Sequence, residues 1–223
     1  MKRSTLAAAI VAAFSPMTAL AAPASTAALP DVAVANRGVV ELETGRAPGI
    51  SVRIAEDLAN IIDDGATRRV LPVVGKGSLQ NLSDLKLLRG IDLAILQTDV
   101  LDYARQGNYF PGIETWVSYI AKLYNEEFHL LARREVKAVG DLANQKVNLD
   151  LRGAGTAITA SRLFDFLKIA VTPTYDDQEV ALGKLRKGDI AALAFVAGKP
   201  APLFCNIPAE EGLHFLGSHS IRR

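Results

Sequence analysis

The stretch VNLDLRGAGTAITASRLFDFL, residues 147–167, constrains the fold more than any other part of the chain. It reads as a short buried strand, a glycine loop and an amphipathic helix. Ala160, Leu163, Phe164 and Leu167 recur at the spacing of one helix face, while Ser161, Arg162, Asp165 and Lys168 fall opposite. Between strand and helix lies Arg152-Gly153-Ala154-Gly155-Thr156. Two glycines permit a sharp turn and leave its N–H groups uncovered. The first N–H groups of a helix have no partner inside it and carry the positive end of its dipole. Thr156 is expected to cap that end or to offer its hydroxyl to a guest. Arg152 adds a planar cationic fork suited to a carboxylate or phosphate. Such an anion socket, at the carboxyl end of a strand, is where open α/β sheets hold ligands. The same turn also serves α/β proteins that bind nothing there. It is not a nucleotide fingerprint: Ile158 stands where G-x-G-x-x-G needs its third glycine, and no P-loop pattern is present.

A second strand–glycine–helix turn runs from Val70–Val74 through Gly75 and Gly77 into a helix opened by Ser78. Leu79, Leu82, Leu85 and Leu88 are expected to face inward. Ser78 is the natural N-cap, and Asn81 lies three residues on, on the same side; a cap with a solvated neighbour is the plainer reading. Upstream, Gly38–Glu43 reads as a strand. A helix follows with Ile50, Ile54, Leu58, Ile61 and Ile62 on one face and Gly65 as its stop. The strand 91–96 runs into Gln97-Thr98-Asp99, polar residues placed to line a crevice. Apolar runs at 117–124 and 128–132 flank Asn125-Glu126-Glu127 and lead to Arg133-Arg134-Glu135, the expected crossing into a second lobe. Further strands are expected at 172–175, 190–195 and 213–216. Between them, a helix over 178–187 should turn Val180, Ala181 and Leu185 inward. Strands alternating with helices imply an α/β chain with largely parallel sheets, and glycine turns in both halves suggest two lobes facing one cleft.

Lys2 and Arg3, an apolar run over 6–14 and the small residues of Ala19-Leu20-Ala21 form a signal peptide with cleavage after Ala21. The run is far short of the roughly 20 apolar residues of a membrane span. A formal net charge of +1 provides no basic field for nucleic acid or anionic lipid. Cys205, the single cysteine, excludes an intramolecular disulfide, and its apolar neighbours Leu203 and Phe204 suggest a buried, inert thiol. His129, His214 and His219 lack metal-ligand spacing, and neither H-E-x-x-H nor G-x-S-x-G occurs. His129 is expected in a core or crevice. The acid pairs Glu126-Glu127 and Asp176-Asp177 are expected to be solvated. These patterns imply no enzyme, no metal and no cofactor.

Four segments carry a resemblance: GKGSLQNL (75–82), GIDLAILQTDVLDYA (90–104), LYNEEFHLLARREVKAVGDLANQKVNLDLRGAGT (123–156) and EVALGKLRKGDIAALAFVAGKPAP (179–202). Together they resemble the TAXI family of TRAP-transporter solute receptors. The resemblance implies a two-lobed periplasmic binding protein of type II fold with mostly parallel sheets. Lobe one would span 22–132 and lobe two 133–223. It implies capture of a small carboxylate, such as glutamate or 2-oxoglutarate, and delivery to TRAP membrane subunits. The family's Gly-Ser-x-x-Asn motif falls on Gly77, Ser78 and Asn81. Its strand-end polar group falls on Gln97 and Asp99, and its tyrosine before the crossing on Tyr124. Its Gly-Ser-Gly-Thr turn falls on Gly153, Ala154, Gly155 and Thr156. With Arg152 these make the expected ligand set. Ala154 replaces the family's serine, and Gly45-Arg46-Ala47 stands where a tyrosine-containing stretch is usual. Family members continue past residue 223 with a segment that returns to lobe one, so that return is expected to be missing here. A periplasmic sensory protein is the alternative reading, and an enzyme on the same fold a more distant one. No nucleic-acid partner and no stable membrane insertion after cleavage are expected.

Overall fold

The computed structural model describes residues 37–47 and 49–217. The signal peptide and its cleavage site, the stretch 22–36 and the tail from residue 218, with His219, lie outside the described residues. Among the described residues no helix is long and apolar enough to cross a membrane.

The first sheet has three parallel strands in the order β2-β1-β3: β1 is Val39–Thr44, β2 Arg69–Val74 and β3 Ile91–Ala94. Parallel neighbours need a crossover, and helices α1 (Ile50–Ile62) and α2 (Ser78–Leu87) supply them. Leu42 and Val70 pack with Ala55 of α1. Leu82 of α2 packs with Ala104 of α3 (Thr98–Gln106) and with Ile113. On the expected inner face of α1, Ile50, Ile54 and Leu58 are half-buried, whereas Ile62 is exposed and Ile61 is 80% exposed; the fully buried residues are Ser51 and Ala55.

The second sheet has five strands in the order β6-β5-β7-β4-β8. Here β4 is Glu127–Arg133, β5 Lys146–Asn148, β6 Thr172–Thr174, β7 Ala192–Ala197 and β8 Leu213–Phe215. Strand β5 is parallel to β6 and β7, whereas β4 is antiparallel to β7 and β8. Helix α4 (Gly155–Leu167) covers one face and α5 (Gln178–Lys187) the other. Side chains of a strand alternate between faces, so both faces of a sandwiched sheet must be apolar. Leu130, Ala132, Ala192 and Ala194 join the α4 side, while Leu131 and Leu193 join the α5 side. This explains the unbroken apolar runs of β4 and β7. On α5, Gln178, Ala181, Leu182 and Leu185 are buried at helical spacing, and Val180, about 100° off that stripe, is exposed rather than inward.

Strand β4 pairs with β7 from Glu127 onward, ahead of the crossing placed at Arg133. Residues 117–126 form no ladder or helix, and Tyr119 and Ile120 on them are exposed. Cys205 is exposed, not buried: Leu203 and Phe204 enter the core from a short 3-10 turn, which rotates the thiol outward. His129 packs edge-on against Phe204, beside Phe215, at the expected core margin.

Candidate functional site

The two glycine turns meet. A Cβ built on Gly77 would lie 3.4 Å from Ala154 Cα, and Gly77 holds φ +140°. The backbone at Gly77 is one that residues with a Cβ adopt only under strain. Beside this contact, Gln97 lies over Gly155: an added Cβ there would fall 1.6 Å from Gln97 Oε1. The start of α2, the start of α3 and the start of α4 therefore come together where the lobes touch.

None of these three starts is capped by a side chain. Ser78 is not the cap of α2: Gly77 holds that position and Ser78 is the first helical residue. Thr156 is not the cap of α4 either. Ala154 is, and the buried Thr156 hydroxyl accepts from Val196 N at 3.1 Å. The N–H groups of Gly155, Thr156 and Ala157 thus begin a helix with no side-chain acceptor. Gly153 turns the chain into this start with φ +81°.

The other expected residues divide between the interface and its supports. Asn81 is fully buried and braces its own lobe: Nδ2 donates to Thr44 O at 2.7 Å, and Oδ1 accepts from Gly77 N at 3.3 Å. Its side chain holds the turn in place rather than pointing outward. Behind it sits Glu43, 3% exposed, with Oε2 buried and unpartnered. Burial, with the Asp84 carboxyl adding to it, pushes Glu43 up to about 7. Asp99 ties the lobes, accepting from Thr159 of α4 at 2.5 Å through Oδ2 and from Arg162 at 2.9 Å through its main-chain oxygen. Arg152 lies at the exposed rim, its guanidinium 3.8 Å from the Tyr175 ring centroid, a stacking geometry that leaves the fork's edges free.

Glu126 belongs to this interface, although its place beside Glu127 suggested solvent. It accepts from Gln97 Nε2 and, at 3.1 Å, from the Tyr124 hydroxyl. Burial raises its carboxyl above the ordinary range despite both donors, and Asp99 reinforces the shift. Burial also raises the Tyr124 phenol, with the Glu126 charge adding to it. Gln97 Oε1 is left buried without a partner. Arg46 crosses from lobe one to Asp177 Oδ2 at 2.8 Å and comes within 4.0 Å of Asp150 Oδ1. Neither Glu126 nor Arg46 was legible as a contact, because sequence neighbours say nothing of which side chain a second lobe will cover. The signal for Arg46 was that Gly45-Arg46-Ala47 stands where the resemblance puts a tyrosine-containing stretch. An open groove lined by Arg133, Glu135, Asp141, Lys146 and Asp189 lies at the other edge of the second sheet, where β5 and β7 begin. Its mixed charges converge on no common point.

Residues 43–220 match the family described as NMT1-like, a span that runs from the end of β1 past the last strand. The chain belongs to the NMT1-like family. This NMT1-like protein is similar in structure to an ancestral arginine-binding protein bound to arginine, with 14% identity, a TM-score of 0.54, and 81% of this chain and 79% of that one covered. It is similar to the GluR0 ligand-binding core from Nostoc punctiforme in complex with L-glutamate, with 17% identity, a TM-score of 0.53 and coverages of 80% and 79%. It is also similar to the periplasmic aliphatic sulphonate binding protein SsuA from Escherichia coli, with 17% identity and a TM-score of 0.50; 80% of this chain covers 56% of SsuA. At these identities the likeness is one of fold. The NMT1-like protein has the α/β architecture, with mostly parallel sheets, of type II periplasmic binding proteins.

Proposed function

We propose that the protein is an extracytoplasmic solute receptor that captures a small organic carboxylate between its lobes. The observation that supports this most is the meeting of three uncapped helix starts, at Gly77, Gln97 and Ala154, across the lobe interface. Each brings N–H donors and a partial positive charge suited to a carboxylate, and the one acid in their first turns, Asp99 of α3, is engaged by Thr159 of α4. In the closed form Gln97 fills the place above Gly155, so the guest enters when the lobes part. It is then held because it touches both sides, which is the differential contact that closure requires. Arg152 at the rim is the cation that draws the anion in.

The leader read from residues 1–21 accords with a periplasmic location, and the resemblance to TAXI receptors accords with delivery to TRAP-type membrane subunits. The fold neighbours whose names state a ligand bind arginine, L-glutamate or aliphatic sulphonates. The test is calorimetry of the exported protein against glutarate, 2-oxoglutarate and L-glutamate, with Gly155→Val as the control. Valine at the start of α4 takes the space of the Gln97 amide and fills the place beside the open N–H groups. Binding by the wild type and a loss of about 100-fold in the variant, or about 3 kcal/mol, is the expected result. Equal affinity in the two proteins moves the ligand elsewhere.

A further inference from the structure

One side chain of the protein already lies where the solute's carboxylate is read to go. Gln97 holds the N-cap position of α3, yet its side chain makes no capping bond there. It reaches across to lobe two instead. A Cβ added to Gly155 would fall 1.6 Å from Gln97 Oε1, 2.5 Å from Cδ and 3.1 Å from Nε2. The carbonyl end of the amide is therefore the end directed at the start of α4. That oxygen is nonetheless buried with no hydrogen-bond partner among the described residues. Helix α4 has no side-chain cap, and the acceptor laid against its start makes no bond to it.

Glu126 holds the amide in this orientation. Its Oε2 accepts from Gln97 Nε2, and its Oε1 accepts from the Tyr124 hydroxyl at 3.1 Å, so both oxygens are engaged and the carboxyl is fixed from two sides. An ionised carboxylate can only accept. It takes the amide by the N–H end and so turns the carbonyl end away from itself, toward Gly155. A hydrogen bond to a charged acceptor is roughly twice as strong as a neutral one. Nothing comparable holds the carbonyl end, and an unmet buried acceptor burdens the ligand-free closed form. A carboxylate from outside brings a full charge to the same helix starts and can displace the amide.

We propose that the Gln97 amide is a built-in placeholder at the carboxylate position, held there by Glu126 and Tyr124, and that it competes with the solute instead of contacting it. The inference rests on the lobe interface being the ligand site and adds how the protein itself limits occupancy of that site. It reverses the role that the resemblance gives Gln97, and it makes Glu126 a positioning residue that acts through Gln97. The placeholder belongs to the empty protein. Only molecules with Gln97 withdrawn are competent to bind, so the affinity of every carboxylate is lowered by one common factor. A residue that touched the solute would act on each solute according to that solute's own shape.

The experiment is calorimetry of glutarate and 2-oxoglutarate on the wild type, Gln97→Ala, Glu126→Gln and the double variant, with circular dichroism to verify folding. Gln97→Ala should bind both probes about 10-fold more tightly, and by the same factor. Glu126→Gln, which leaves only neutral hydrogen bonds to the amide, should tighten both by about 3-fold. The double variant should match Gln97→Ala alone, whereas a merely structural Glu126 would add an effect of its own. Weaker or unchanged binding by folded Gln97→Ala overturns the inference and leaves the receptor reading standing. So do unequal factors for the two probes, and so does a double variant that differs from Gln97→Ala. If Gln97→Ala does not fold, Glu126→Gln decides: tighter binding of both probes supports the placeholder, and equal or weaker binding overturns it. Binding of neither probe by any of the folded proteins overturns both the inference and the receptor reading.

Discussion

Helices α4 and α5 both begin at the carboxyl edge of the second sheet, yet they treat their first N–H groups in opposite ways. Helix α5 carries its own counter-charge: Asp177 accepts from Glu179 N, and three basic residues occupy its last turn. Helix α4 has Ala154 at the same position, no acid in its first turn and no side-chain cap, and it is met by two further uncapped starts. A helix that completes itself contributes stability alone. One that leaves its donors open at an interface gives up about 1 kcal/mol of capping and keeps a place for an anion from outside. The contrast extends to carboxyl groups generally. Asp141 accepts from Lys137 N and Ala138 N at 2.8 and 2.9 Å and is held below the usual range by those bonds. Glu43 is buried with one oxygen unpartnered and stands far above it.

The largest effect expected from this contrast is at Glu43. Folding raises its carboxyl from 4.5 to about 7, so its stabilising contribution is whole below pH 4.5 and is lost as pH rises through 7. Stability should fall by up to roughly 3 kcal/mol across that window. Urea unfolding at a series of pH values should show this slope in the wild type and not in Glu43→Gln, and a slope that survives the substitution assigns it to another group. Next in size is Asp177→Ala, which removes the cap of α5 and the partner of Arg46. It should cost about 1–2 kcal/mol in the same assay. A double-mutant cycle with Arg46→Ala should assign only about 0.2–1 kcal/mol to the half-exposed ion pair. The one gain is at α4: Ala154→Ser supplies its missing cap and should stabilise the ligand-free protein by about 1 kcal/mol. If the start of α4 is a ligand site, that serine also changes affinity, whereas a serine that alters stability alone breaks the contrast.

The α/β alternation was readable because helices with the 3.6 period, α4 and α5, alternate with short unbroken apolar runs, β4 and β7. The glycine turns were readable because positions such as Gly77 and Gly153 need a backbone that other residues avoid. What could not be read was which donors the protein itself would use. Thr156 and Asn81 are the right residue types for a ligand, yet the first accepts from Val196 and the second braces Gly77 and Thr44. Both bonds join residues distant in sequence, or depend on how a helix start is placed, so no local pattern announces them. Ser78 and Thr156 failed as caps for a related reason: Gly77, with φ +140°, and Ala154, with an extended backbone, already hold the non-helical N-cap position one and two places earlier. Glu126 and Arg46 acquire meaning only from the opposite lobe.

The contact between Gly77 and Ala154 makes the lobe interface open to engineering. An added Cβ on Gly77 would stand 4.0 Å from that of Ala154, inside the 3.5–4.5 Å spacing of a disulfide. Cysteines at these two sites, with Cys205 replaced to prevent mispairing, would make an oxidant-operated clasp, under strain at position 77 where φ is +140°. Such a clasp would hold the two lobes together under oxidation and let them part on reduction.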